Sequence, residues 1–568
     1  HRVSPDLFKP PSFLPPSPKP HTILPSHLSL PKNAPHSRHA MDTAALSSGQ
    51  DYLLLLFPAA TTFLSPILAV LLAAASLVWL FPGGPAWALY SPIRMFRRSA
   101  GAAPPLPPGA PGVVTAVAGP AAHRSLAALS RSVPGGDALV CFTVGLTRFV
   151  VASRADTARE LLSGAAFADR PVKGASRELL FHRAMGFAPS GDYWRALRRV
   201  SSAHLFGPRS VAASAPRRIA IGDRMVEHLL MSGKGEGEEV AMRRVLHAAS
   251  LDHVMATVFG ARYDAGSLEG AELEAMVKEG YDLLGMFNWA DHLPLLGWLD
   301  LQGVRRRCRS LVGRVNVFVG KIIEEHRRKR TSINGGGDES AGDFVDVLLG
   351  LQGEEKLSAE SDMIAVLWEM IFRGTDTVAI LLEWVMARMV LHPDIQAKAQ
   401  AELDAVVGPG RAVSDADVAR LPYLQHIVKE TLRVHPPGPL LSWARLAVHD
   451  ASVGGHAVPA GTTAMVNMWA IARDPAVWPE PNAFRPERFE AEDVSVLGGD
   501  LRLAPFGAGR RVCPGKTLAL ATVHVWLAQL LHRFEWAPAD GGCIDLSERL
   551  NMSLEMEKPL VCKARPRW

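Results

Sequence analysis

The sequence predicts a mainly helical protein with a minor β component, preceded by one membrane-spanning helix. Apolar residues recur with helical spacing in three long stretches, residues 361–391, 421–434 and 516–534. Short strand-like runs such as residues 462–468 lie between the helices. Residues 52–93 contain no charged side chain, and such a run is typical of a membrane anchor.

Composition limits the class of protein. The chain has 568 residues, 61 basic against 56 acidic side chains, and a net charge of +5. A length of this order favours roughly two to four domains. Basic residues are spread along the chain without an aromatic platform motif, so we do not expect nucleic-acid binding. A membrane surface or an acidic protein partner fits the mild positive charge better.

The first 40 residues contain ten prolines and one acidic residue, without apolar periodicity. A segment of this composition cannot bury enough surface to fold, so we expect disorder over 1–40. The chain begins with His1, and its first methionine is Met41. Two interpretations stay open: residues 1–40 are absent from the mature protein, or they form a disordered tail.

Residues 41–103 are predicted to be the membrane anchor. The apolar run 52–81 exceeds the roughly 20 residues that a bilayer requires. Arg94, Arg97 and Arg98 follow the run, so the positive-inside rule places the C-terminal body in the cytosol. A buried helix of a soluble protein is the alternative. Residues 104–112, PPLPPGAPG, are predicted to be a stiff polyproline hinge, which leaves 113–568 as the body.

The cysteines carry the first chemical signal. Five are scattered along the chain, with neither zinc-ligand spacing nor enough cysteines for a disulfide framework. Cys513 is different, since it lies in PFGAGRRVCPGK at the start of an apolar helix. The positive end of that helix is expected to lower the thiol pKa, and a thiolate there suits an axial ligand of haem iron. The alternative is a redox-sensitive or structural thiol.

Each of the other two long helical stretches contains a polar motif, KETLR in 421–434 and GTDT in 361–391. Glu430 and Arg433 share a helix face in KETLR, and Arg488 in PERF supplies a second guanidinium for the same carboxylate. GTDT, residues 374–377, places an acid and alcohols in the middle of an apolar helix. A local opening of that helix and a proton path are predicted there. A tolerated polar patch is the alternative.

Taken together, these motifs resemble a cytochrome P450. PFGAGRRVCPG, KETLR, PERF, GTDT and WRALR occur in the order and spacing of that family, from about Met41 to Trp568. The cysteine loop matches its pattern FxxGxRxCxG at Phe506, Gly509, Arg511, Cys513 and Gly515. The resemblance implies a single helix-rich, roughly triangular domain with a small sheet region, rather than several domains. It also implies haem b with Cys513 as its thiolate ligand.

The resemblance assigns further roles by position. Haem propionates would contact Trp194, Arg198, Arg445 and Arg511. Glu430, Arg433 and Arg488 would form a structural triad, and Asp376 with Thr377 would be the acid–alcohol pair that handles protons during oxygen activation.

Two positions depart from the family pattern. Arg373 precedes Gly374 where the family usually has Ala or Gly, and Val378 follows Thr377 where Thr or Ser is usual. Arg373 either pairs with Glu369, one turn earlier, or anchors an acidic substrate in the pocket.

Two stretches, residues 287–303 and 369–377, are similar to a plant subfamily of the KLUH and PLASTOCHRON type, which promotes organ and seed growth. The resemblance implies a single-pass protein of the endoplasmic reticulum membrane with a cytosolic body. Such a protein inserts one oxygen atom of O₂ into a lipophilic substrate, such as a fatty acid, with electrons from NADPH through a cytochrome P450 reductase. The alternatives are a haem-dependent isomerase or dehydratase that does not use O₂, and a non-catalytic scaffold or haem sensor.

Overall fold

The computed structural model describes residues 51–96, 104–232, 239–262, 267–333, 342–353, 357, 359–441 and 444–568. The predicted disordered segment 1–40 lies outside this range, as do the start of the anchor and two of its flanking basic residues, Arg97 and Arg98. Of the described residues, 51–70 and 71–568 fall into two units.

Helices account for most of the second unit, as the sequence predicts. The α-helices are α1 Asp51–Leu80, α2 Pro85–Phe96, α3 Ala122–Ser132, α4 Ala155–Ser163, α5 Gly174–Glu178, α6 Asp192–Ser201, α7 Pro208–Ala213, α8 Ala215–Ser232, α9 Met242–Val258, α10 Leu268–Gly285, α11 Val304–Ile333, α12 Phe344–Gly350, α13 Glu360–Leu391, α14 Pro393–Val406, α15 Pro422–Val434, α16 Met468–Ile471, α17 Arg488–Ala491 and α18 Lys516–Arg533.

The minor β component forms small sheets. Its strands are β1 Gly109–Val113, β2 Leu139–Val144, β3 Thr147–Ala152, β4 Glu239–Ala241, β5 Arg445–Leu446, β6 Ala451–Val453, β7 His456–Val458, β8 Thr463–Val466, β9 Phe534–Pro538, β10 Glu548–Leu550, β11 Leu554–Met556 and β12 Val561–Pro566. The largest sheet has the order β1-β2-β3-β8-β5, and a second has the order β4-β12-β9. Two pairs, β6-β7 and β10-β11, complete the set within the described residues.

Helix α13 forms the centre of the core. Most of its side chains are buried, which is typical of a helix surrounded by other helices, and it packs against α9, α15 and α18. Glu360 and Asp362 lie in its first turn, where negative charge complements the helix dipole. It ends at Leu391, because Pro393 restricts the preceding residue. The predicted bounds of α13, α15 and α18 agree with the structure to within one residue.

The predicted hinge is partly built into the sheet. Residues 109–112 belong to β1, which runs parallel to β2 with Gly109 opposite Cys141. The Cys141 amide also donates to the Pro108 carbonyl (2.7 Å). Polyproline geometry leaves backbone groups free for such pairing, so the segment is fixed to the body at its C-terminal end.

The end of the predicted anchor region also packs into the body. Trp87 of α2 is fully buried, and its Nε1 donates to the Phe142 carbonyl of β2 (3.0 Å). The Thr143 hydroxyl donates to the Gly83 carbonyl (2.6 Å). Residues 83–87 are therefore part of the folded body rather than of a free anchor.

Membrane-span criteria are met only by a bent helix pair. Within the described residues, no single helix satisfies the requirements of length and apolar character. Residues Pro66–Leu80 and Pro85–Ser91, which are bent by 101° at the break between them, satisfy the requirements together.

Candidate active site

One cavity of about 270 Å³ brings together most of the residues that the motifs singled out. Helix α13 contributes Thr377, and the loop before α18 contributes Cys513. The remaining predicted site residues that line the cavity are Trp194, Arg198, Arg445, Phe506, Arg511 and Gly515. Asp376 and Gly509 lie outside this lining.

The cysteine loop is held in one backbone conformation. The Cys513 amide donates to the Phe506 carbonyl (2.9 Å). Gly507 and Gly509 have φ values of +70° and +66°, which only glycine adopts at low cost. A Cβ on Gly509 would lie 2.1 Å from the Leu162 carbonyl oxygen at the end of α4. Gly509 therefore serves the loop by close backbone packing.

The Cys513 thiol does not have the depressed pKa that its position predicts. Burial raises the pKa of the Cys513 thiol, and the opposing effects of Arg373, the Gly515 amide and Arg198 are smaller. The expectation of a lowered pKa is therefore wrong for the thiol itself. The cost of burying a thiolate is larger than the stabilisation that the positive end of the helix gives to its charge. A bound metal cation reverses this balance because it deprotonates a coordinating thiol.

Guanidinium groups from separate elements converge on the cavity. Its lining includes Arg170, Arg198, Arg373, Arg445 and Arg511. Burial and, to a smaller extent, the nearby Arg511 together lower the pKa of Arg445 to about 9. Burial lowers the pKa of Arg511 to about 10 against the opposing effect of Asp169. Burial also strongly lowers the pKa of Arg170, with Arg445, Arg373 and Arg511 adding to the effect.

Such a buried cationic cluster fits the carboxylates of haem. Each lowered pKa means that the surroundings disfavour the charged form of that guanidinium. An anion placed among these groups would stabilise the charged form and raise the pKa again. The propionates of haem are anions of this kind, and Cys513 lines the same cavity. The residues present therefore fit a haem: the arginines would hold its propionates, and Cys513 would ligate its iron.

Trp194 and Arg511 both line the cavity and also contact each other. The Arg511 guanidinium lies 4.2 Å from the Trp194 ring centroid. Arg511 donates to the carbonyls of Ala168 (2.9 Å) and Ala188 (2.7 Å), and Trp194 Nε1 donates to that of Met185 (3.0 Å). These contacts fix both side chains before any ligand binds.

Arg198 and Arg445 also bond to the cysteine loop. Arg198 Nη1 donates to the Val512 carbonyl (2.9 Å), and Arg445 Nη2 donates to that of Ala508 (3.3 Å).

Arg170 is a site residue that sequence reasoning missed. It lies in the loop between α4 and α5, directly before Pro171, where neither helical nor strand periodicity operates. The one available signal is its place in FADRP, a short apolar and charged run that ends in proline. The structure brings it to the cavity beside Arg445 and Arg511.

Helix α13 continues without a break through the GTDT residues, so the predicted opening is not seen. Gly374 has a packing role instead, because a Cβ there would lie 2.6 Å from Val254 of α9. The Thr375 and Thr377 hydroxyls donate to carbonyls one turn earlier, at 2.7 Å and 3.5 Å. Back-bonding of this kind is compatible with a helical backbone.

The acid and the alcohol of the predicted pair face different surroundings. Thr377 lines the cavity. Asp376 Oδ1 lies 3.3 Å from Nδ1 of His247 on α9. Burial, with smaller contributions from Glu555 and Glu383, raises the pKa of Asp376 to about 8 against the opposing effect of Arg243. His247 was not among the predicted residues, because it comes from an ordinary stretch of α9.

Arg373 and Glu369 are neighbours one helical turn apart. Arg373 Nη1 lies 3.9 Å from Glu369 Oε1, which also accepts a hydrogen bond from the Gly186 amide (2.8 Å). Burial raises the pKa of Glu369, and Arg373 opposes this effect. Gly186 leaves room for this pair, since a Cβ there would lie 2.2 Å from Glu369 Oε1 and 2.6 Å from Arg373 Nη1, and both side-chain ends would have to shift.

Glu430, Arg433 and Arg488 form one buried ionic cluster. Arg433 donates to both carboxylate oxygens of Glu430, each at 2.8 Å. Arg488 Nε lies 3.0 Å from Glu430 Oε2, and the Arg485 amide donates to Oε1 (2.8 Å). The cluster joins α15 to the segment around α17, as the spacing of KETLR and PERF predicts.

The geometry agrees with comparisons to known proteins. A family model described as Cytochrome P450 matches residues 104–564. The chain belongs to the cytochrome P450 family. It is similar to cytochrome P450 78A5 of Arabidopsis thaliana, with 56% identity over 86% of this chain and 92% of the relative. Cytochrome P450 78A11 of Oryza sativa subsp. japonica is 53% identical over 88% of this chain and 92% of its own length.

A solved structure supports the fold. A zebra fish cytochrome P450 determined with abiraterone matches this chain with a TM-score of 0.66 and 26% sequence identity. The match covers 78% of this chain and 99% of the zebra fish chain.

This cytochrome P450 is therefore a haem protein of a monooxygenase family, and its relatives include plant proteins of the 78A group. Haem iron supplies dioxygen chemistry when bound, and a thiolate ligand favours O–O cleavage. The chain itself supplies the thiol of Cys513, the arginine cluster and the hydroxyl of Thr377 around one cavity.

Proposed function

We propose that this cytochrome P450 is a membrane-bound monooxygenase that oxidises a lipophilic substrate, such as a fatty acid, in plant organ or seed growth. Electrons come from NADPH through a cytochrome P450 reductase. The observation that carries the proposal is that Cys513 and Thr377 line the same cavity. An alcohol at that position serves proton delivery to dioxygen, and an enzyme that only rearranges a peroxide does not require it.

A lipophilic substrate suits the lining of the cavity. Apolar side chains contribute much of it, including Val254, Val258, Leu381 and Leu441. Arg373 lines the same cavity from α13 and introduces positive charge there. A carboxylate at one end of an apolar chain would meet both requirements, since a guanidinium binds carboxylates in a charge-assisted contact. A fatty acid has this form.

Membrane attachment through residues 41–103 is part of the proposal, with the body on the cytosolic side of the endoplasmic reticulum. An exposed apolar surface between α10 and α11 supports it. Leu295, Trp298 and Leu301 are 83%, 76% and 73% exposed. Apolar side chains exposed together in this way mark membrane or partner surfaces. Protease added to intact microsomes should digest the body, and protection of the body would reverse this topology.

Reconstitution tests the proposal directly. The purified haem protein, a plant reductase and NADPH should oxidise fatty acids with incorporation of one atom of ¹⁸O from labelled O₂. Product without label, or product formed without O₂, would favour the isomerase or dehydratase alternative. Normal haem binding without turnover of fatty acids or of a broad lipophilic panel would favour a sensor or scaffold. Metabolite profiles of plants that lack or overproduce the protein would then identify the natural substrate.

A further inference from the structure

A line of ionisable side chains crosses the interface between α9 and α13. Next to Asp376 and His247, Arg243 Nε donates to Glu383 Oε2 (2.8 Å), and Arg243 Nη1 lies 3.4 Å from Glu555 Oε2. His247 follows Arg243 by one helical turn, and Glu383 follows Asp376 by two, so each pair shares a helix face. We refer to Asp376, His247, Arg243, Glu383 and Glu555 as the α9–α13 seam.

The seam leads away from the cavity. The Asp376 side chain is 14% exposed and that of His247 is 32% exposed, yet neither residue lines the cavity. Thr377, the next residue after Asp376, does line it. Asp376 is thus the chain neighbour of a cavity-lining residue, and its carboxyl group lies beside a half-buried imidazole.

Both members of the inner pair favour their neutral forms near neutral pH. The raised pKa of Asp376 keeps a proton on its carboxyl group. Burial and, to a smaller extent, the nearby Arg243 together lower the pKa of His247 to about 4. A neutral imidazole has one nitrogen that accepts a proton and one that donates, so it can pass a proton from one side of the ring to the other.

We propose that His247 is a positioning residue for Asp376, holding its carboxyl group toward α9 and supplying it with protons from the outer side of the seam. The proposal rests on the monooxygenase function, whose balance is RH + O₂ + NADPH + H⁺ → ROH + H₂O + NADP⁺. Asp376 gives a proton toward Thr377 and takes one from one ring nitrogen of His247 while the other ring nitrogen takes up a proton from solvent, so the imidazole stays neutral. The cavity can then stay closed to bulk water while protons arrive.

The other charged groups near Asp376 are less suited to this role. Arg243 is committed to Glu383, Glu555 and the Met556 carbonyl, and a guanidinium does not release its proton. Glu383 accepts from Arg243 and from the Leu560 amide. Tyr281 of α10 donates to the Phe372 carbonyl. Among these groups, His247 is the one whose titratable ring lies 3.3 Å from the acid.

Substitution of His247 tests the proposal. His247→Leu should lower the ratio of product to NADPH consumed several-fold, raise peroxide release, and increase the solvent isotope effect on product formation. His247→Asn keeps an amide near the position of Nδ1 but cannot titrate, so it should lose coupling as well. Exposed His228 of α8 provides the matched control, and His228→Asn should behave as the parent.

A second readout does not depend on turnover. The infrared carbonyl band of the protonated Asp376, assigned by its loss in Asp376→Asn, should titrate at higher pH in His247→Leu, because the acid loses a polar neighbour. An unchanged band with unchanged coupling in His247→Leu overturns the proposal. Parent-like coupling in His247→Asn also overturns the proposal. If His247→Leu does not fold, the coupling of His247→Asn decides the question alone. Normal coupling in Asp376→Asn would instead contradict the proton role of Asp376 itself.

Discussion

Glu430 and Arg433 form a two-point ion pair that is completely buried, with both side chains at 0% exposure. Replacing Glu430 by Ala would leave the guanidiniums of Arg433 and Arg488 without their carboxylate. Breaking a buried pair in this way costs about 3–5 kcal/mol, so Glu430→Ala should yield little folded haem protein. The haem content per chain and the free energy of unfolding measure the effect.

A surface pair between α14 and α17 is the control for that prediction. Glu490 lies 3.0 Å from Lys398, and both side chains are about half exposed. Glu490→Ala should cost no more than about 1 kcal/mol. Normal haem content and stability in Glu430→Ala, with only a slower rate, would contradict a structural role for the triad.

Cys513→Ser tests the iron ligand. Serine replaces a soft thiolate by a hydroxyl at the same place, so the reduced, CO-bound protein should lose the strongly red-shifted Soret band of thiolate-ligated haem. Exposed Cys543 offers a control, and Cys543→Ser should leave the spectrum unchanged. The assignment fails if Cys513→Ser keeps the red-shifted band.

Thr377→Ala should separate binding from coupling. The variant keeps the cavity and should bind haem and substrate, but electrons should leave as peroxide because proton delivery is misdirected. The ratio of product to NADPH consumed measures this change. Thr331 of α11 is an exposed threonine whose hydroxyl also donates to a carbonyl of the preceding turn, that of Arg328, so Thr331→Ala is the control. Equal coupling in Thr377→Ala and the parent would rule out the role.

Arg373→Ala decides between a helix contact and a substrate contact. If Arg373 holds a carboxylate, the variant should bind fatty acids more weakly and leave the binding of their methyl esters unchanged. Spectral titration with both ligand types measures the difference, and exposed Arg244→Ala of α9 is the control. Equal weakening for acid and ester would show that Arg373 only supports α13 through Glu369.

Trp87→Ala tests whether α2 belongs to the folded body. Deleting a fully buried tryptophan typically costs about 3–5 kcal/mol, and the Phe142 carbonyl would lose its donor. Leu89, on the same helix, is 57% exposed, so Leu89→Ala should change the free energy of unfolding by no more than about 0.5 kcal/mol. Equal free energies of unfolding for the two variants would contradict the packing of α2 against the body.

Features that depend on local spacing could be predicted from the sequence. The bounds of α13, α15 and α18 follow from apolar periodicity and from the prolines that end two of the helices. The cluster of Glu430 with Arg433 follows from their spacing on one helix face, and the cysteine loop from its glycines and the following apolar run.

Features that depend on long-range packing could not be predicted. Arg170 reaches the cavity from a loop, and His247 reaches Asp376 from a separate helix. No local sequence pattern therefore marks either residue. The raised pKa of Cys513 depends on burial, which sequence position near a helix end does not reveal. Likewise, the pairing of residues 109–113 with β2 is a register between segments about 30 residues apart, hidden by the prolines.

The contact between Gly509 and Leu162 has a consequence for variation of the cysteine loop. The obstacle that a Cβ would meet is a main-chain oxygen, which cannot rotate away as a side chain can. Any larger residue at position 509 would therefore have to displace the main chain of α4 or of the cysteine loop itself, although nearly 350 residues separate the two in the chain. The residues that this loop tolerates are thus limited by a segment far from it in sequence.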